Sequence, residues 1–389
     1  MKQFGNTLRH FALPMLLILI TTNKSAAQHP QGLSLPVPDH IVVVIMENHN
    51  YSQIYGSSAA PHINALANDD HSALFTQSFA IEHPSQPNYL DLYAGCNQGV
   101  TDDSKPANIP FTTANMGREL LDAGRTFITY SEDLPSVGYD GSSSGNYARK
   151  HNPAANWMGT GANQIPTSTN QPLTAFPTDY TKLPTVCFVV PNLKDDMHDG
   201  GDPGGIIIGD NWIYAHINDY VQWAKTHNSV LILTFDENET AGPNQIVTIF
   251  SGERVKAGKY SESISHYSVL ATMETLYGLT HACNAASATT IVDCWSLAGV
   301  ANSSDSRAEN VFALFPNPAH DVLRLSITKE IVGTLESITI TNILGKTVYA
   351  SKLLHTTVQQ LEIGALSAGI YHVSASDGKT LYTQKLIVP

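Results

Sequence analysis

Residues 40–48, HIVVVIMEN, and residues 229–237, SVLILTFDE, decide how this chain folds. Each is a short, unbroken apolar run that stops abruptly on side-chain oxygens: Glu47 and Asn48 in the first, Asp236 and Glu237 in the second. Runs so uniformly rich in Val, Ile, Leu and Phe cannot leave one face in water, so they predict strands buried on both sides. RTFITY (125–130), TVCFVV (185–190) and QIVTIFS (245–251) read the same way, as further parallel strands. Between them, NMGRELLDAG (115–124), NWIYAHINDYVQWAKTH (211–227) and HYSVLATMETLYGL (266–279) carry helical spacing, the second with Ile213, Ile217, Tyr220 and Ala224 on one stripe. Strands alternating with helices predict an α/β fold, a mostly parallel sheet with helices on both faces. Functional sites in such sheets form where strands reach their carboxyl edges, which is where the two oxygen pairs stand.

Carboxylates brought together from distant stretches destabilise a fold unless a cation neutralises them. Glu47, Asn48, Asp236 and Glu237 therefore point to a divalent metal ion, and an all-oxygen set admits magnesium, calcium, manganese or zinc. The segment HPSQPNYLDLYAG (83–95) puts Ser85 just before a helix. A serine there is an ordinary helix cap, or a nucleophile whose hydroxyl acidity is raised by a metal and by the helix N-terminus. Pro84 and Pro87 fix the backbone on either side of it. RKHNP (149–153), NLKDDMHDG (192–200) and SISHYS (263–268) are unusually polar for their surroundings and supply Lys150 with His151, Asp196 with His198 and Asp199, and His266. A histidine beside a carboxylate can protonate a leaving oxygen, stabilise phosphoryl charge or bind a metal.

The ends of the chain read differently from its middle. Residues 1–27 give a basic start, the apolar core FALPMLLILI and small residues Ser25 and Ala27, the order of a cleaved signal peptide. That core is short against the roughly 20 residues of a membrane span. Export would let the four cysteines, Cys96, Cys187, Cys283 and Cys294, form disulfides. Of the three possible pairings, the short loop favours Cys283 with Cys294 and leaves Cys96 with Cys187. A net charge of −13 without a block of Lys or Arg excludes the electrostatic footprint of a nucleic-acid or anionic-membrane binder. Residues 134–181, rich in Gly, Ser, Asn, Thr and Pro, are too long an irregular tract for a plain connection and predict a lid or insertion over the site. Residues 301–310 read as a linker, and from Val311 the pattern turns to short alternating strands with glycines at the turns, a small all-β sandwich over 311–389.

In this order, MENHNYSQIYGSSAAPHIN, HPSQPNYLDLYAG, ARKHNP, VPNLKDDMHDG, GDNWI, LTFDEN and HYSVLATMETLYGL resemble the phosphoesterase family that contains acid phosphatases and phosphatidylcholine-type phospholipase C enzymes. The resemblance implies a three-layer α/β/α alkaline phosphatase-like catalytic domain over 28–300. It also implies a metal ion held by Glu47, Asn48, Asp236 and Glu237, with Ser85 both touching the metal and acting as nucleophile. His151 and His198 would face the phosphate oxygens, Lys150 would be a nearby cation, and His266 a further member of the site. The implied reaction is in-line attack by Ser85 on a phosphate ester, giving a phosphoserine that water then hydrolyses. FPNPAHDVLRL, ITNILGKTVY, LSAGIYHV and QKLIV resemble a type IX secretion sorting domain of immunoglobulin-like form, which implies a partner in the secretion machinery and a secreted or cell-surface protein. The competing readings are a phospholipase C-like phosphodiesterase and a surface binding protein without chemistry.

Overall fold

The computed structural model describes residues 35–239, 242–296, 312–327, 332–342, 346–353, 355–376 and 381–389. The signal peptide and linker expected from the sequence lie outside them. The strands of the main sheet are β1 (His40–Met46), β2 (Ser72–Phe79), β3 (Phe127–Ser131), β4 (Asn170–Pro172), β5 (Val186–Val190), β6 (Ser229–Phe235), β7 (Gln245–Gly252), β8 (Gly258–Tyr260) and β9 (Ile264–Ser265). They lie in the order β8-β2-β7-β6-β1-β5-β3-β4, with β9 also on β2. The helices are α1 (Tyr51–Ile54), α2 (Pro61–Ala67), α3 (Ser85–Ala94), α4 (Met116–Asp122), α5 (Gly204–His216), α6 (Asn218–Ala224) and α7 (His266–Tyr277).

Successive residues of β1 face opposite sides of the sheet. Ile41, Val43 and Ile45 enter a core with Tyr89, Leu90 and Tyr93 of α3 and Val269 and Leu270 of α7. Val42, Val44 and Met46 enter a second core with Ile63 of α2, Ile206 and Ile213 of α5 and Tyr220 of α6. Helices thus cover both faces, as the unbroken apolar runs require. The sheet is mixed, which corrects one expectation: β7, the QIVTIFS run, is antiparallel to both β6 and β2. A strand buried on both faces has the same composition whichever way it runs, so its direction cannot be read locally. The expected helix over 211–227 begins earlier, at Gly204, and divides at Ile217, with its apolar stripe buried as predicted.

The 134–181 tract folds as one-turn helices and two- or three-residue strands, among them the hairpin Ser143–Ser144 with Tyr147–Ala148. Cys96 is bonded to Cys283, while Cys187 and Cys294 are free and buried, so the sequence-based pairing is overturned. The bond ties the end of α3 to the segment after α7, 187 residues away in sequence. In the C-terminal region β10 (Phe312–Phe315), β11 (Val322–Ile327) and β14 (Val358–Glu362) form one antiparallel sheet, in the order β10-β11-β14. A second follows the order β13-β12-β15-β16, built from β12 (Ser337–Asn342), β13 (Thr347–Lys352), β15 (Gly369–Ser376) and β16 (Leu381–Val388). The alternating apolar residues of both, such as Leu323, Leu325, Ile338, Ile340 and Val373, gather in one cluster.

Candidate active site

β1 and β6 are neighbours in parallel register, Met46 opposite Phe235, so the next residues of each, Glu47 and Asp236, leave the same edge side by side. The chain turns sharply there: Asn48 has φ of 47°, in the left-handed region that Asn tolerates, and its N–H donates to Asp236 Oδ1 at 2.9 Å. Ser85 comes to this edge on α3, as that helix's first residue. The cap position is Pro84 and no side chain caps the helix, so the ordinary capping role is not what Ser85 does. Its hydroxyl instead faces Glu47 Oε2 at 3.0 Å, Glu237 Oε1 at 3.1 Å and Asn48 Oδ1 at 3.4 Å. Asn88, one turn on, holds the approach to the helix by accepting from the N–H groups of Ile81 and Glu82.

A hydroxyl has one proton, and three oxygens surround this one. At most one of the contacts is therefore donated by the hydroxyl itself. The Asn48 side-chain oxygen likewise faces acceptors only; turned over, the amide would donate to Asp236 Oδ2 at 3.1 Å and Glu237 Oε1 at 3.0 Å. The residues present fit a divalent ion by donor type. Burial, foremost, pushes the Asp236 carboxyl up to about 8, with Glu237 adding to it, and the Glu237 carboxyl up to about 7. Glu47, fully buried and facing Asp236 and Asp196, is raised well above the ordinary range despite the Tyr89 hydroxyl and Lys150.

A second group shares Glu47. His151 Nε2 lies 3.1 Å from Glu47 Oε1 and its Nδ1 3.0 Å from Asp196 Oδ2, yet neither nitrogen has hydrogen-bond geometry to its neighbour. Glu47, His151 and Asp196 form a buried group that could hold a metal ion. The Tyr89 ring stacks on the imidazole, centroids 5.2 Å apart, and its hydroxyl donates to Glu47 Oε1. Burial, then Lys150 and His198, push the His151 pKa well down.

Lys150 Nζ donates to Asp103 Oδ2 at 2.9 Å and lies 3.4 Å from His198 Nε2. Burial works against its charge, but Asp103 and Glu47 outweigh it and raise its pKa. His198 Nδ1 is 2.9 Å from Asp199 Oδ1, and 30% of its side chain is exposed. His266 stands behind the site rather than in it: Nε2 is 2.7 Å from the Asp236 carbonyl oxygen and the ring is buried. Three neighbours carry no assignment from the sequence. His83 Nδ1 sits 2.5 Å from Glu237 Oε2. Tyr89 lies four residues after Ser85, a helical spacing that would have revealed it. Asp103, which accepts from the Gln86 N–H as well as from Lys150, sits on an irregular loop with no such signal.

Comparison with known proteins gives the same class. The model of the Phosphoesterase family matches residues 55–280, and that of the secretion system C-terminal sorting domain matches 313–389. The chain belongs to the Phosphoesterase family. It is accordingly a hydrolase of phosphoric esters. A Mycobacterium tuberculosis phosphatidylinositol-3-phosphatase is 45% identical over 264 residues, 67% of this chain and 84% of that protein. A phosphate-repressible acid phosphatase of Penicillium chrysogenum is 29% identical over 66% of this chain, which spans 62% of the fungal protein's length. Among solved structures, an alkaline phosphatase superfamily protein of Vibrio parahaemolyticus matches at 10% identity and a TM-score of 0.46, covering 92% of this chain and 86% of its own. Among the described residues no helix is long and apolar enough to cross a membrane.

Proposed function

We propose that this chain is an exported, divalent-metal-dependent phosphomonoesterase of alkaline phosphatase-like fold in which Ser85 is the nucleophile. The observation that carries the reading is the Ser85 hydroxyl, buried at a helix start and surrounded at 3.0–3.4 Å by three oxygens of Glu47, Asn48 and Glu237. Glu47, Asn48, Ser85, Asp236 and Glu237 would hold the ion. Bound there, it would make the serine hydroxyl more acidic and offset charge on the transferring phosphoryl group. Ser85 attacks phosphorus in line with the ester oxygen, its hydroxyl proton passing to the neighbouring Glu47 or Glu237 carboxylate; the P–O bond to the alcohol breaks as the bond to Oγ forms. Lys150 faces the phosphoryl oxygens with its positive charge. The departing alkoxide takes its proton from His198, a partly exposed histidine beside Lys150. His151 lies buried between Glu47 and Asp196, with its pKa pushed down foremost by burial, and is less suited to that step. Water then attacks the phosphoserine and releases phosphate.

The names of the relatives, acid phosphatases and a phosphatidylinositol phosphatase, support monoesters over the phospholipase C-like alternative. The region 28–300 is the catalytic unit, 301–310 a linker, and 311–389 an immunoglobulin-like sorting sandwich that engages the secretion machinery and takes the protein to the cell surface or beyond. The test is p-nitrophenyl phosphate hydrolysis with and without chelator, in wild type and Ser85→Ala. Chelation and the substitution should each abolish turnover; equal rates in the two proteins reject the nucleophile.

A further inference from the structure

Beside the catalytic edge lies a cavity of about 200 Å³, lined by Gln86, Lys105, Ser142, Ser143, Arg149 and Lys150 among others. It adjoins the site through shared residues: Gln86 follows Ser85 in the chain, and Lys150 reaches towards His198. Gln86 is itself fixed, its side-chain amide donating to the carbonyls of Asp102 and Ser104 at 2.8 Å and its N–H to Asp103. Arg149 is buried as the floor, bonded to Asn156 and to the Ala155 carbonyl, with Asp140 at 3.0 Å. Lys105 pairs with the same Asp140 at 3.0 Å, and Lys150 with Asp103 at 2.9 Å. Lys105 and Arg149 thus share Asp140, while Lys150 pairs with Asp103, itself part of the lining, and also feels Glu47 and Asp236. Asp140 is more than half exposed, so its hold on Lys105 is a weak surface pairing that a better anion can displace.

We infer that this cavity is a leaving-group subsite for a hydroxylated ring that carries a second negative charge, such as a sugar or cyclic-polyol bisphosphate. The inference rests on the phosphomonoesterase reading and adds the substrate class. One sugar ring fills the volume, the Ser142 and Ser143 hydroxyls match its hydroxyl groups, and Lys105 meets the second anion. The two serines and the Asp140 that orders both cations belong to the irregular 134–181 tract, which gives that insertion a function.

The test compares fructose 1,6-bisphosphate with p-nitrophenyl phosphate on the full chain with metal added back, in wild type, Lys105→Gln and Ser142→Ala/Ser143→Ala. Lys105→Gln should raise KM for the bisphosphate about tenfold, the loss of one charge-assisted hydrogen bond, with kcat and the aryl-phosphate kinetics unchanged. The serine pair should lower kcat/KM for the bisphosphate several-fold without touching the aryl substrate. Equal effects on both substrates, or none on the bisphosphate, overturn the subsite. Calorimetry on Ser85→Ala protein, titrating fructose 6-phosphate with inorganic phosphate already present, separates the two proposals. Binding weakened by Lys105→Gln upholds the cavity even if wild-type protein turns over no ester, and binding that Lys105→Gln leaves unchanged overturns it.

Discussion

The Ser85 hydroxyl and the Glu47 carboxylate, 38 residues apart in sequence, lie 3.0 Å from each other where the start of α3 meets the end of β1. Each is buried, and each adds to a ring of acceptors that has too few protons. What holds them there without an ion is the surrounding core, against their own repulsion.

Removing one of these acceptors should therefore separate folding from metal binding. Glu47→Gln and Asp236→Asn should each lose the bound ion while keeping the fold. In chelator both should melt about 2–4 °C above wild type, since each deletes a repelling buried carboxylate worth roughly 1 kcal/mol. Adding divalent ion should raise the melting temperature of wild type alone. Metal analysis and thermal scans with and without chelator check this; a full metal equivalent in either variant contradicts the ligand assignment.

Two carboxyls away from the site should make stability fall with rising pH. Burial, with Glu82 nearby, pushes Asp91 up to about 8, and burial pushes Glu274 up to about 8. In the unfolded chain both titrate near 4. Between those values the folded protein keeps protons that the unfolded chain has lost, so stability drops from about pH 4 to about pH 8 and levels above it. The slope per group cannot exceed about 1.4 kcal/mol per pH unit. Glu274→Gln keeps an acceptor for the Ala282 N–H, bonded at 3.0 Å, and should flatten the curve in urea unfolding from pH 5 to 9 with saturating metal. An unchanged slope would show Glu274 to be ionised in the fold.

The Cys96–Cys283 bond should be the one disulfide, and its removal costly. Cys96→Ser should lower stability by about 2–4 kcal/mol, measured in urea. Cys187 and Cys294 are buried, and burial pushes both thiols up. They should resist alkylation in native protein and react once it is unfolded, which peptide mass spectrometry will read.

The tail should be dispensable for chemistry. Its buried cluster shares no residue with the two cores of the main sheet. A chain ending at Asn310 should keep wild-type kcat and KM on p-nitrophenyl phosphate but remain in the periplasm, whereas normal export of the shortened chain would refute a sorting role.

Much of the site was legible because local chemistry announced it. Glu47, Asn48, Asp236 and Glu237 end runs too apolar to be anything but buried strands, and an oxygen pair at such an end is conspicuous. Ser85 was legible as a helix start flanked by prolines. The strand SALFTQSF was not: Ser72 and Ser78 interrupt its apolar pattern, and only across the sheet do they find Ser251 Oγ at 2.9 Å and Thr248 Oγ1 at 2.8 Å. His151 carried a local hint of polarity, but its position between Glu47 and Asp196 depends on three separate segments meeting.

From its residues alone the chain fixes which stretches are buried strands, that oxygens crowd their ends, and that its last eighty or so residues alternate as a separate β region. Those are consequences of burial and periodicity, which act over a few residues. The direction of β7, the partner of Cys96, the lowered pKa of His151 and the cavity beside Lys105 were decided only by the folded structure. Each depends on groups more than a hundred residues apart, or on burial from several sides at once, and no short-range pattern records either.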